Sequence, residues 1–126
     1  MELPQDFKYS KEHTWIQLQS DGEALIGITE FAQSELGEIV YVDLPNVGAS
    51  YKKDEIFGSV EAVKTTSDLY MPVSGEVLQV NGALRDDPTL VNTASFTGGW
   101  MIKIKLTDDT ELQSLYDGVR YQALVG

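Results

Sequence analysis

The chain has 126 residues, 42% of them hydrophobic, and its nine basic and 20 acidic side chains give a formal charge of −11. That length suits one domain burying roughly two-thirds of its unfolded surface, and so acidic a balance excludes the cationic footprint that nucleic acid or an anionic membrane requires. With no cysteine and a single histidine, His13, the sequence also excludes disulfides, thiolate metal sites, cysteine nucleophiles and histidine metal clusters.

The opening residues, MELPQDFKYS, lack a signal-peptide hydrophobic block and the Arg-rich character of a transit peptide. No apolar run approaches the ~20 residues that span a bilayer. The chain reads as cytoplasmic, or as a matrix protein if a mitochondrial presequence was removed. Residues 14–19 (TWIQLQ) and 23–28 (EALIGI) read as two strands joined by Ser20-Asp21-Gly22, where Asp-Gly is a strong hairpin signal. Thr29 is placed to cap a short helix, TEFAQSEL, that Gly37 ends. Then come a strand, GEIVYVDL, a loop, LPNVGASYKKDE, and a second strand, IFGSVEAV.

Gly37-Glu38-Ile39-Val40-Tyr41-Val42-Asp43 matches Gly75-Glu76-Val77-Leu78-Gln79-Val80-Asn81 in residue character at an offset of 38. The second copy is followed by a polar loop, GALRDDPTLVNTASFTGG, and a strand, WMIKIKL. Two strand–loop–strand halves fit a quasi-symmetric sandwich or flattened barrel of short strands. In DDTELQSLYDGVRYQALVG the spacing of Leu112, Leu115, Tyr116 and Val119 predicts an amphipathic helix that Gly118 weakens or bends.

Between the halves lies VEAVKTTSDLYMPVSGEV. Strict alternation puts Gly58, Val60, Ala62 and Lys64 on one face and Phe57, Ser59, Glu61 and Val63 on the other. An unpaired ammonium beside Val60 and Ala62 is too costly to bury. Thr65-Thr66-Ser67-Asp68 supplies turn formers, so Lys64 is expected at an exposed hairpin tip. A Schiff-base lysine needs a desolvated pocket or a cationic neighbour, whereas the neighbours here are Glu61 and Asp68. Acylation by another enzyme, which brings its own base, carries no such requirement. The carboxylate pairs Asp86-Asp87 and Asp108-Asp109 read as solvated caps, and nothing in the chain supplies a converging acid and base.

Taken with YSKEHTWI, GITEFAQSELGEIVYVDLP, VN and GGWMIKIK, this hairpin resembles the H proteins of the glycine cleavage system, across most of the chain and in the same order. The resemblance implies a mainly β fold, the barrel-sandwich hybrid of lipoyl and biotinyl domains, with an N-terminal β-hairpin, a short helix and a C-terminal helix. It implies a single lipoyl-carrier domain over residues 1–126: hairpin and short helix over 1–36, sandwich over 37–106, C-terminal helix over 107–126. By the same resemblance lipoic acid is joined by an amide to Lys64, with Glu61 and Asp68 beside it, in a monomeric and non-catalytic carrier. The arm would accept an aminomethyl group at the pyridoxal-phosphate glycine decarboxylase (P protein). It would pass the one-carbon unit to tetrahydrofolate at the aminomethyltransferase (T protein) and be reoxidised by dihydrolipoyl dehydrogenase (L protein). Lipoate-attaching enzymes are further partners.

Of the other matched positions, His13 and Trp15 are expected to pack or to hydrogen-bond, Gly98 and Gly99 to make a turn, and Asn92 to brace a loop. Three positions depart from the family pattern. Thr14 stands where an acidic residue is frequent, Phe31 where histidine is frequent, and Ala94-Ser95 where proline is common. A threonine hydroxyl cannot pair with an ammonium as a carboxylate does, which puts the cleft that shelters the loaded arm in question. Three other roles are open on the same fold: an H-like relay donating lipoyl groups to other enzymes, a lipoyl domain of a 2-oxoacid dehydrogenase, and a biotin carrier. The biotin carrier is disfavoured because Val63 and Thr65, not methionines, flank Lys64.

Overall fold

The computed structural model describes residues 3, 4 and 6–125; Met1, Glu2, Gln5 and Gly126, which the expected domain span includes, lie outside the described residues. Among the described residues nine strands form two sheets. The larger has the order β1 (Phe7–Tyr9), β2 (Thr14–Leu18), β3 (Glu23–Ile28), β9 (Ile102–Leu106), β8 (Gly75–Val80), β5 (Ser50–Tyr51). The smaller has the order β4 (Ile39–Asp43), β6 (Ile56–Ala62), β7 (Thr66–Tyr70). Every strand pairing is antiparallel, and neither sheet closes on itself. This is the expected mainly β architecture. Among the described residues no helix is long and apolar enough to cross a membrane.

The core lies between the sheets. Ile16, Ile26, Val77 and Ile104 of the larger sheet meet Ile39, Val42, Val60 and Leu69 of the smaller. Each such side chain is worth about 1.5–3 kcal/mol when fully buried. Thr29 caps α1 (Glu30–Leu36) as expected, its hydroxyl accepting from the Ala32 amide at 3.2 Å. Gly37 ends α1 at φ 85, a conformation that favours glycine.

The two GE-led strands fall in different sheets, and the internal match extends to their irregularities. β4 carries a bulge between Ile39 and Tyr41, and β8 one between Val77 and Gln79, which is the same place in the repeat. An extra residue in one strand lets two consecutive side chains share a face. Val40 and Tyr41 are accordingly both outside in β4, as are Leu78 and Gln79 in β8. A third bulge, between Ile56 and Gly58, overturns the expected alternation in β6: Phe57 is buried rather than facing out with Ser59 and Glu61. Gly58 is needed there, because a Cβ would stand 2.2 Å from the Asp43 carbonyl oxygen.

The C-terminal segment departs further from the periodic reading. A 3-10 turn spans Asp109–Ser114, the chain extends through Leu115, and only Gly118–Val125 forms a helix, α4. The break follows from edge pairing. Tyr116 exchanges two backbone hydrogen bonds of 2.8 Å with Tyr9, giving the outer edge of β1 a partner. The Asp117 carboxylate then accepts from the Arg120 amide and restarts the helix. The expected apolar stripe therefore fails at Val119, which is 81% exposed, and Tyr121 is buried in its place, stacked on Tyr9 at 4.8 Å.

The polar segment after β8 is not irregular throughout: it contains two short helices, α2 (Ala83–Asp86) and α3 (Leu90–Thr93). Asn81 ties this segment down. Its amide donates to the Gly98 and Trp100 carbonyls at 2.9 and 2.7 Å, and its oxygen accepts from the Ala83 amide at 3.2 Å. Asn81→Ala leaves two carbonyls and an amide without that partner and should cost about 2–3 kcal/mol. Urea unfolding should show a lower midpoint at an unchanged slope.

Candidate functional site

The lysine turn is built by backbone first. β6 and β7 pair through Glu61 and Thr66, and the Ala62 amide donates to the Thr65 carbonyl at 2.7 Å, which leaves Val63 and Lys64 at the tip. Neither residue needs a positive φ. The tip does not float: the Val63 amide donates to the Glu38 carbonyl at 3.1 Å. Glu38 is held in turn. Asn92 accepts from the Ile39 amide at 2.9 Å and donates to the Gly37 carbonyl at 2.9 Å and to the Gln33 side chain at 2.7 Å. Asn92 thus braces the junction of α1 and β4 against which the tip rests.

Lys64 is exposed, and among the described residues no carboxylate lies within 4.0 Å of its ammonium. Glu61 and Asp68 are also exposed. Glu61 lies opposite Thr66, and Asp68 lies opposite Ser59. Cross-strand partners share a face, so the two carboxylates sit diagonally on the outer face of the hairpin. They flank the lysine at one remove, and neither pairs with it. An anchored backbone thus presents an unpaired lysine amine to an incoming reagent.

Beside this hairpin is a cleft of about 350 Å³ lined by Glu12, His13, Phe31, Ala32, Glu35, Leu36, Ser67, Asp68 and Tyr70. Its far wall depends on His13, which takes φ 66 and closes the tight turn between β1 and β2 through a 3.1 Å bond from its amide to the Ser10 carbonyl. That backbone turns the imidazole against Phe31, with ring centroids 4.9 Å apart. His13 Nδ1 shares a 2.8 Å hydrogen bond with the Tyr121 hydroxyl, which shares a 2.7 Å bond with the Thr29 hydroxyl. One polar chain therefore links α4, the N-cap of α1 and the cleft. Burial pushes the Tyr121 phenol up, and burial together with Tyr121 pushes the Tyr9 phenol up. Burial lowers the His13 imidazole below its ordinary value, against the smaller raising effects of Glu12 and Glu35.

Thr14 does not line the cleft. It is 1% exposed, and its hydroxyl is engaged by Ser10 Oγ at 2.5 Å and by the Tyr70 carbonyl at 3.3 Å. The cleft is present nonetheless, with Glu12, Glu35 and Asp68 as its carboxylates. Trp15 is fully buried and donates to the Ser95 carbonyl at 2.9 Å, while Gly98 and Gly99 lie in the turn before β9. The sequence pattern marked neither Glu12, Glu35 nor Tyr121. Periodicity favoured Val119 over Tyr121, and the two glutamates resemble any solvated pair until α1 is placed beside the turn holding His13. A larger hollow of about 520 Å³ between Leu3 and α4 involves no residue of the lysine hairpin.

The family model described as glycine cleavage H-protein matches residues 7–126. A glycine cleavage system H protein from Brevibacillus brevis is 52% identical over 125 residues, covering 99% of this chain and 98% of the relative. One from Salmonella paratyphi C is 50% identical over 123 residues, covering 98% and 95% respectively. Among solved structures, the crystal structure of a glycine cleavage system H protein from Mycobacterium marinum superposes with a TM-score of 0.90. It is 35% identical and covers 97% of this chain and 98% of its own.

Because folding lowers the proton affinity of His13, the unfolded chain binds more protons once the pH drops below about 6.5. The neutral imidazole's contribution is intact above that pH and is lost as pH falls through the folded value. In denaturation measured from pH 7.5 to 5, wild type should therefore lose stability relative to His13→Gln. Parallel curves would contradict this account.

Proposed function

The chain belongs to the glycine cleavage H-protein family, and from that premise we propose that it is the lipoyl carrier of a glycine cleavage system, with lipoic acid joined by an amide to Nζ of Lys64. The observation that carries this reading is the presentation of Lys64: an unpaired amine on an anchored hairpin tip, inside a sequence that matches the family from residue 7 onward. Lys64 would hold the lipoyl group, which would supply a redox-active disulfide able to carry an aminomethyl group between P, T and L proteins.

The chain's own residues tether, position and shelter. The hairpin fixes the root of the arm, and a tether raises the local concentration of its end at each enzyme without tight binding. Phe31, Ala32, Leu36 and Tyr70 give the neighbouring cleft an apolar lining suited to an alkyl arm, and Glu12, Glu35 and Asp68 give it a negative rim. No residue of the chain is assigned a catalytic role, and Glu61 and Asp68 serve recognition at the hairpin. Residues 1–126 act as one lipoyl-carrier domain, monomeric and cytoplasmic.

Intact mass of the protein from its native host should show one lipoyl group, mapped to Lys64. Lys64→Arg, with an unchanged unfolding midpoint, should support no glycine–CO2 exchange with P protein; full exchange in that variant would refute the arm. Glu61→Gln should slow lipoyl attachment several-fold without altering the fold, measured as the initial rate of mass gain.

A further inference from the structure

We propose that the outer face of the β4–β6–β7 sheet beside Lys64 is the docking surface for the enzyme that acylates this lysine, a partner presenting an apolar socket rimmed by arginine or lysine. The inference rests on the carrier reading above and assigns residues that reading does not use.

The bulge in β4 turns Val40 and Tyr41 outward together, 46% and 53% exposed. Tyr41 lies opposite Glu61, and Val63, 66% exposed, sits at the tip on the backbone bond to Glu38. These three apolar side chains form one patch reaching to Lys64, whereas exposed apolar residues on a monomer are usually scattered singly. Tyrosine is among the residues that most often anchor interfaces. Apart from Lys64, the strands of this face carry charge of one sign. Glu38, Asp43 and Glu61 are exposed around the patch, and β4, β6, β7 and their connecting tip contain no cation except Lys64. Once Lys64 is an amide, these strands and their tip carry only acidic charge, and Arg85 of α2 stands with Tyr41 and Asp43 at the groove beside them.

Geometry selects the occupant. In the attachment step Nζ of Lys64 attacks the acyl carbon of a lipoyl adenylate, an amide C–N bond forms and the C–O bond to phosphate breaks. AMP leaves, and the proton lost by the amine passes to a base of the attaching enzyme. The reacting atom is only a four-carbon stem from the backbone, so the tip itself must enter that active site and its neighbours must touch the enzyme. After attachment the arm carries the reacting atoms well beyond the surface, and later enzymes are not forced onto this face.

The test is the rate at which a lipoate–protein ligase, given preformed lipoyl adenylate, adds mass to the full-length chain. Tyr41→Ser/Val63→Ser, both at exposed positions, should keep the wild-type unfolding midpoint and lower kcat/KM for attachment by about tenfold or more, chiefly through KM. Added salt should slow attachment to wild type, as expected for an acidic face meeting a basic one. Once fully lipoylated by long incubation, the variant should match wild type within about twofold in glycine–CO2 exchange. Attachment within about twofold of wild type would overturn the proposal, and so would an equal loss in attachment and exchange. Failure of wild-type Lys64 to accept the group at all would instead overturn the carrier reading.

Discussion

A single carboxamide decides where the reactive amine of this protein stands. Asn92 holds the backbone at Gly37 and Ile39 and ties both to Gln33 of α1. Glu38, between them, offers its carbonyl to Val63, the residue before Lys64. Hairpin tips are ordinarily the parts of a sheet that open most readily. Here the tip is bonded to a strand start that Asn92 and α1 brace, so the backbone before Lys64 has a partner outside its own hairpin. The proposed carrier role calls for a held root beneath a free side chain.

Much of this was legible in the residues because the strongest signals were local. Asp21-Gly22, Thr29 and Gly37 each name a turn or a cap, and the structure uses each as such. The cost of burying an ammonium was enough to place Lys64 at a turn. The family resemblance then supplied what physical patterning does not, namely which acyl group to propose for a lone exposed lysine.

The failures share one cause, which is that pairing between distant segments overrides local period. Phe57 is buried because a bulge shifts the alternation, and a bulge leaves no mark on a period-two pattern. The C-terminal helix breaks where Tyr116 satisfies the edge of β1, more than a hundred residues away in sequence. β1 and β5 were not marked as strands because three residues and two residues are too few for alternation to register. Thr14 looked like the loss of a functional carboxylate, yet it faces inward and the acids of the cleft come from Glu12, Glu35 and Asp68.

The paired bulges in β4 and β8 have a consequence for how this surface evolves and how it can be studied. The same backbone irregularity occurs twice in one molecule, once in the sheet that carries the Lys64 hairpin and once in the other sheet. At the second copy the outward pair is Leu78 and Gln79, so the fold does not demand an aromatic there. The molecule therefore contains its own internal control. Selection acting on Val40 and Tyr41 but absent at Leu78 and Gln79 reports a contact with another protein, because the demands of the shared scaffold cancel in the comparison.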